Sequence, residues 1–600
     1  MPLVPDPIPA YIGPGAGFAF LGSFLTLALS ILVGIVSLFL WPIRFLRNLL
    51  RRRKGSVRRA IFLGFDGLDP RITERLMAEG RLPNFSKLRA AGSYTRLRTT
   101  FPALSPVAWS TFATGVNPGR HNIFDFLSRD LRTYVPELSS ARVTKKSIEL
   151  RRRSEPFWKI LGREGVTSTI LRVPITFPPE EFNGRLLSAM CTPDLRGSQG
   201  TFSRFTQPVG TLEGPEGETL PFTIRDGVLH IQNQRIPLPE GVYTDWVHLR
   251  FASAPGIARF LLTTKPDFSL YCTPVQIDPD NPAMPISHPR WYAIYLAKLV
   301  GAFATLGMAE DTWALNEGAI DQAAFLEQAR LIQKEREAMF FSALDHAPRG
   351  VTACVFDTTD RVQHMCFHQP EVIEPLYEDM DRILGQTLGY ADAGTALFVL
   401  SDHGFTAFRR GVNLNTWLLE NGYLSLNAGA DGSTEYLADI DWSRTRAYTF
   451  GLAGIYLNLQ GRESQGIVPE AARAALTEEL ATRLRGLHDA ERLAIANAYP
   501  AAALYNGPYL GAAPDLIIGY ADGYRAGWDA AVGKTSTAVF ADNEKHWCGD
   551  HCVDPSLVPG VLFSNLPLQA TDPGIEDLAP TALRLFGIDP PAWMEGKSLL

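Results

Sequence analysis

The apolar positions of this chain fall into short runs that stop abruptly at an acid, alternating with stretches spaced as helices. The run "AIFLGFDG" (60–67) ends in Asp66 and a glycine, and "DPRITERLMAEG" follows it. This reads as a buried strand and then a helix with Asp69 as N-cap and Pro70 at its first position. "GVTACVFD" (350–357) and "TALFVLSDHG" (395–404) repeat the design, the first running into "TTDRVQH" and the second ending in Asp402, His403 and Gly404. Residues 167–173, 514–520 and 560–565 are further strand candidates. Helical spacing marks "FLEQARLIQKEREAMFFSAL" and "AARAALTEELATRLRGL". Strands alternating with helices predict an α/β, mainly parallel, doubly wound sheet with helices on both faces. Ligands of such sheets collect beyond the carboxyl ends of the strands. That edge is where Asp66, Asp360, Asp402 and His403 are expected.

One apolar run has a different character. Residues 16–41 carry no charge, and about 20 such residues span a bilayer. Eight basic residues follow by position 59, and no Lys or Arg precedes the run. A cleaved signal peptide needs a positive start and a shorter apolar core. The expected layout is therefore an N-terminal tail (1–15), one transmembrane helix (16–41), a basic juxtamembrane segment (42–59) and a catalytic domain (60–600). The charge asymmetry puts that domain in the cytoplasm, with an extracytoplasmic placement as the alternative. Proline-rich and mixed stretches at about 125–345 and 410–510 read as insertions that cover the sheet edge as a cap or lid.

Composition narrows the partners. The net charge is −6 and is spread without long runs, so nothing favours nucleic acid. Six cysteines in 600 residues do not form a disulfide framework.

The acids and histidines suggest divalent-metal chemistry. Asp360 and His364 stand four apart, on one face of a helical turn, where both can reach one ion. "HWCGDHC" adds His546 and His551. Each pair alone is more simply an N-cap or a solvated pair; their joint position at strand ends is what makes them a site. The block "LSPVAWSTFATG" (104–115) supplies a hydroxyl. Pro106 suits the first turn of a helix, which puts Ser105 at the N-cap, facing free N–H groups and the positive end of the helix dipole. Taken by itself that serine would be only a cap, contributing about 1 kcal/mol.

"FDG", "LSPVAWSTFATGVNPGRHNI", "DTTDRVQH", "SDHGF", "GDHCVDPSLVPGVLFS" and "EDLAPTALRLFGIDPPAWMEGKSL" occur in an order that resembles the alkaline phosphatase superfamily. The branch is the type I phosphodiesterase/nucleotide pyrophosphatase family, with its bacterial phosphohydrolase/phosphomutase relatives. The resemblance implies an alkaline-phosphatase-like fold and two divalent ions, zinc first and manganese second. It implies Asp66, Ser105, Asp402 and His403 around one ion and Asp360, His364 and His551 around the other, with Ser105 as nucleophile. The expected activity is phosphoester hydrolysis through a phosphoserine, on a substrate that the anchor would allow to be lipid-linked. A phosphomutase or phosphotransferase on the same site, and an inactive membrane-tethered scaffold, are the alternatives. One position departs from the family: Ala108 stands where a phosphate-binding Asn is usual. Asn122 and Arg361 are the candidates to replace it.

Overall fold

The computed structural model describes residues 55–143, 147–452 and 454–600. The expected transmembrane helix, and its basic flank up to Lys54, lie outside the described residues. Among those described, no helix is long and apolar enough to cross a membrane.

The central sheet has eight strands: β1 (Arg59–Phe65), β2 (Ser93–Leu97), β3 (Ser168–Leu171), β4 (Gly184–Leu187), β5 (Ser287–His288), β6 (Gly350–Phe356), β7 (Thr395–Leu400) and β8 (Gly560–Ser564). Their order across the sheet is β5-β4-β3-β6-β1-β7-β8-β2. Strands β4, β3, β6, β1 and β7 run parallel. β5 is antiparallel at one edge, and β8 lies antiparallel between β7 and β2 at the other. The sheet is mainly parallel, as the strand–helix alternation predicted: β2, antiparallel to β8, runs with those five strands, and only β5 and β8 run against them. Direction is set by which neighbour a strand finds, and the local apolar run that marks 560–565 carries no sign of it.

β1 is central because it can be buried on both faces. Ile61, Leu63 and Phe65 enter one core, with residues of helices Gln322–His346 and Pro370–Leu388. Ala60 and Phe62 enter the other, with residues of helices Ser105–Thr114 and Leu578–Leu585. Phe62 stacks on Phe398 of β7 at 5.1 Å and meets Phe112 edge-on at 5.8 Å. These aromatic contacts lock helix Ser105–Thr114 against the sheet.

Outside the sheet, "FTIRDGVLHIQNQRIPLP" forms antiparallel strands Thr219–Arg225, Val228–Ile231 and Gln234–Pro237. The run at 514–520 is a strand, Leu516–Tyr520, in a separate five-stranded sheet rather than the central one. A third sheet pairs Thr406–Val412 with Gly523–Ala526, Phe540–Asp542 and Gly549–Asp550.

Candidate active site

Each strand that ends in an acid delivers it to the same edge. Asp66 follows β1, and its N–H donates to Phe356 O at the end of β6. Gly67 then turns the chain at φ +70°, a conformation glycine adopts without cost. Asp69 caps helix Pro70–Ala78 as expected, accepting from Arg71 N and Ile72 N. Asp360 and His364 lie on helix Thr358–Cys366, which begins two residues after β6. Asp402 and His403 follow β7, and His551 follows the strand Gly549–Asp550.

Ser105 is the first residue of helix Ser105–Thr114, and Leu104 is its N-cap. This corrects the expected capping role. The helical ladder already starts at Leu104 O, which accepts from Val107 N and Ala108 N, both at 2.9 Å. The Ser105 hydroxyl is therefore free of the backbone and turns to the acids. Its Oγ lies 3.2 Å from Asp66 Oδ1 and 3.1 Å from His403 Nε2. The other hydroxyls of the block serve structure: Ser110 donates to Pro106 O, Thr114 donates to Ser110 O, and Thr111 bonds His121. Asp66 is oriented by Trp109, whose Nε1–H donates to its Oδ2 at 2.8 Å. That indole lies across β1 at Gly64, where a Cβ would meet it at 2.6 Å.

The imidazoles define the electronics. His364 Nδ1 faces Gly549 O at 2.8 Å, His403 Nδ1 faces Gly404 O at 3.0 Å, and His551 Nδ1 faces Ala103 O at 2.7 Å. A carbonyl only accepts, so each Nδ1 carries the proton and each Nε2 presents a lone pair. Asp360 Oδ1 lies 3.2 Å from His364 Nε2 and 3.4 Å from His551 Nε2. Asp402 Oδ2 lies 3.3 Å from His403 Nε2. Neither Asp360 Oδ1 nor Asp402 Oδ2 has a hydrogen-bond partner among the described residues, and both are buried. Ser105 has one hydrogen for two acceptors. The site is thus a convergence of lone pairs without enough protons to separate them.

The titration shifts express the same crowding. Burial and the neighbouring Asp360 push Asp66 up to about 8. Burial, Asp66 and Asp360 raise Asp402 well above the carboxylate range. Burial, then His551, holds His403 well below the usual imidazole value. Burial opposes charge on Asp360 too, yet His364 and His551 hold it well below its ordinary value. Burial also opposes charge on His551, but Asp360 raises it on balance, so a proton shared with Asp360 is one way to fill the gap.

A divalent cation is the other way, and the donors fit it. Ligand atoms of Asp360, His364 and His551 all lie within 4.8 Å of one another, as do those of Asp66, Asp360 and His403. Asp360 belongs to both groups and joins them. Each imidazole already has the backbone carbonyl behind it that fixes a metal-binding tautomer.

Beside the cluster a cavity of about 400 Å³ is lined by Ser105, Asp360, His364 and His551 together with residues of the stretches that read as insertions. Its walls are mostly apolar, with Leu104, Met190, Met308, Leu452 and Trp547 among them, and Asp125 and Asp550 also line it. Arg361 lines it and is buried; its Nη2 donates to Thr312 Oγ1 at 2.8 Å, while its Nε has no partner among the described residues. Asn122 is not brought there. It caps the short helix Pro118–His121 at φ +67° and lines a separate cavity. His546 is exposed, and Ala108 is fully buried in the core under the sheet. Arg525 also lines the cavity, and its sequence context, "GYRA" in a strand, gave no signal of it.

Acids and imidazoles gathered at the carboxyl ends of an α/β sheet, around a buried serine, define a metal-site enzyme. The model of the family "Type I phosphodiesterase / nucleotide pyrophosphatase" matches residues 60–546. The chain belongs to that family and is a metal-dependent phosphoric ester hydrolase. No curated protein matches it. Solved structures similar to it include phosphonoacetate hydrolase from Sinorhizobium meliloti 1021 in complex with phosphonoacetate (12% identity, TM-score 0.46, covering 89% of this chain and 97% of that one). Another is human ectonucleotide pyrophosphatase / phosphodiesterase 5 (12% identity, TM-score 0.43, covering 89% and 96%).

Proposed function

We propose that this protein hydrolyses phosphoesters by a two-metal mechanism in which Ser105 is the nucleophile and a phosphoserine the intermediate. The observation that carries the reading is the position of Ser105 Oγ. It stands within 3.2 Å of Asp66 and 3.1 Å of His403, at the edge of a buried group of unshared lone pairs. Asp66, Ser105, Asp402 and His403 would hold one ion and Asp360, His364 and His551 the other, with Asp360 close enough to touch both sets. Bound there, divalent ions, zinc first and manganese second, would stabilise the oxyanions of an in-line displacement as Lewis acids.

The chain's own groups then act as follows. Ser105 Oγ loses its proton to the surrounding carboxylates and attacks phosphorus. The Oγ–P bond forms as the bond to the leaving alcohol oxygen breaks, and solvent protonates that oxygen. Arg361, at the cavity wall, supplies N–H donors to a phosphoryl oxygen where the family's usual Asn is replaced by Ala108. Water entering from the side the alcohol left attacks phosphorus, the Oγ–P bond breaks, and Ser105 recovers its proton. Trapping a phosphoserine by acid quench during turnover of an aryl phosphoester tests the scheme. A metal-loaded protein that turns over without labelling Ser105 would overturn it.

The stretch 125–345 is not wholly an insertion, because β3, β4 and β5 of the central sheet lie within it; its remaining loops and the stretch 410–510 are proposed as the cap over this edge, with Met190, Met308 and Leu452 in the cavity wall. The uncharged run 16–41 with its basic flank supports a single membrane anchor with the catalytic domain in the cytoplasm. Protease treatment of intact and broken cells tests that placement, and cleavage of the domain in intact cells would reverse it. A lipid-linked substrate would suit the anchor.

A further inference from the structure

Arg525 is a buried guanidinium with more hydrogen-bonding capacity than its surroundings use. It sits in strand Gly523–Ala526, in register with Gly411 of the strand that also pairs Thr406 with Asp550. Its side chain is 3% exposed. It lies between the rings of Phe408 at 4.3 Å and Trp528 at 4.2 Å, so it is fixed in plane. Its Nε is 3.1 Å from Asp550 Oδ2. That pairing looks sufficient until the partners of Asp550 are counted. Trp547 Nε1 donates to Oδ2 at 2.8 Å, and the N–H groups of His551 and Cys552 donate to Oδ1 at 2.8 and 2.9 Å. Asp550 is thus satisfied without the arginine. On the arginine, Nε and Nη2 are buried without a hydrogen-bond partner among the described residues.

The same side chain lines the apolar cavity that holds Ser105. Trp528 and Trp547, whose rings meet at 5.9 Å and 90°, stand with Arg525 over the first and Arg361 over the second. The cavity therefore presents two guanidinium groups with unused donors on a mostly apolar wall, which Asp125 and Asp550 also line. One suffices for the oxygen of the transferred phosphoryl group. A buried, planar, unfilled fork is suited to a carboxylate or a phosphate.

We propose that Arg525 forms a second anion subsite, so that the favoured substrate is a phosphoester whose organic part is apolar and carries a further acidic group. This rests on the hydrolase reading above and names the substrate class of that site. The aromatic and aliphatic walls take the apolar body, and the guanidinium of Arg525, at the cavity wall, takes the acidic end. Arg525 is thereby a specificity-determining residue, outside the metal ligands.

The test compares matched inhibitors on the zinc- or manganese-loaded full chain. These are n-alkyl phosphonates of four and six carbons, the ω-carboxyalkyl phosphonates of the same length, and the α,ω-bisphosphonates. For at least one length, the terminal acid is expected to tighten inhibition of aryl phosphoester hydrolysis at least tenfold over the plain alkyl chain. Carboxylate against phosphonate termini identifies which acid is preferred. In Arg525→Met the ratio should fall to about one, and in Arg525→Lys it should be intermediate. If loss of the arginine unfolds the protein by leaving the buried charge of Asp550 without a cation beside it, the double variant Arg525→Met/Asp550→Asn carries the same measurement. A ratio near one in the wild type at both lengths, or a ratio that survives in Arg525→Met, overturns the proposal. Failure of the hydrolase reading looks different: no aryl ester is turned over, while calorimetric binding of the phosphonates still reports the ratio.

Discussion

The imidazole rings of His403 and His551 stack face to face, with centroids 3.6 Å apart and planes 14° apart. Two residues 148 positions apart in the chain are thereby held flat against each other, each with Nδ1 tied to a carbonyl. Stacking this close is compatible with neutral rings and opposes two imidazolium ions. It carries the ligand atoms of the two proposed metal sets into one buried volume.

That geometry predicts proton release on metal binding. A cation entering between Asp360, His364 and His551 takes lone pairs for which protons otherwise compete. Calorimetric titration of the stripped protein in buffers of different ionisation enthalpy should show net release of protons. Two equivalents of metal are expected per chain in the wild type and about one in His364→Ala. Stripping by chelator should also lower the melting temperature, since the ions bind only the folded chain.

Replacing Ser105 by alanine should reduce turnover by on the order of 10³-fold or more, as loss of a covalent nucleophile does. Metal content measured alongside decides what the loss means. A variant that keeps both ions and loses turnover implicates the hydroxyl itself.

Gly64 is expected to be intolerant although it is remote from the reacting atoms. A Cβ there meets the Trp109 ring at 2.6 Å, and Trp109 holds Asp66 by its indole N–H. Gly64→Ala should cost about 1–3 kcal/mol in urea unfolding, as overpacking does, and should reduce activity further through Asp66. Gly511→Ala, where nothing lies within 4 Å of the added carbon, is the control and should change neither.

His121 should make the protein acid-sensitive independently of any metal. Burial, then Arg152, depresses its pKa to about 3. Below about pH 6.5 the unfolded chain takes up a proton that the native state refuses until about pH 3. The unfolded state then binds more protons, so stability falls as pH falls through that window. Between pH 6.5 and 4.5 the loss amounts to about 2–3 kcal/mol. Urea unfolding of His121→Gln should be flatter over the same range by that amount; equal slopes would refute the assignment.

Much of this site was legible because strand ends are marked locally. Asp66, Asp360 and Asp402 each close an apolar run or open the helix behind it, and the sheet then gathers them. The direction of β8 was not legible, because it depends on pairing with β7 and β2. Nor was the capping of the Ser105 helix, since Leu104 O starts that ladder with no side-chain signal. Asn122 and Arg361 were equal candidates in sequence, and packing alone separates them: one closes a short helix, the other faces the cavity. Arg525 belongs to the same class of information, its meaning created by Phe408, Trp528 and Asp550 from elsewhere in the chain.

The spread of the cluster along the polypeptide has a consequence for its biogenesis. Asp66 and Ser105 are synthesised early, and His551 only near the end. A chain emerging from the ribosome therefore carries Asp66 and Ser105 long before His551. Throughout that interval it cannot assemble the full centre. The stack of His551 on His403 can form only after strand Gly549–Asp550 has been made and paired with Thr406–Ala407.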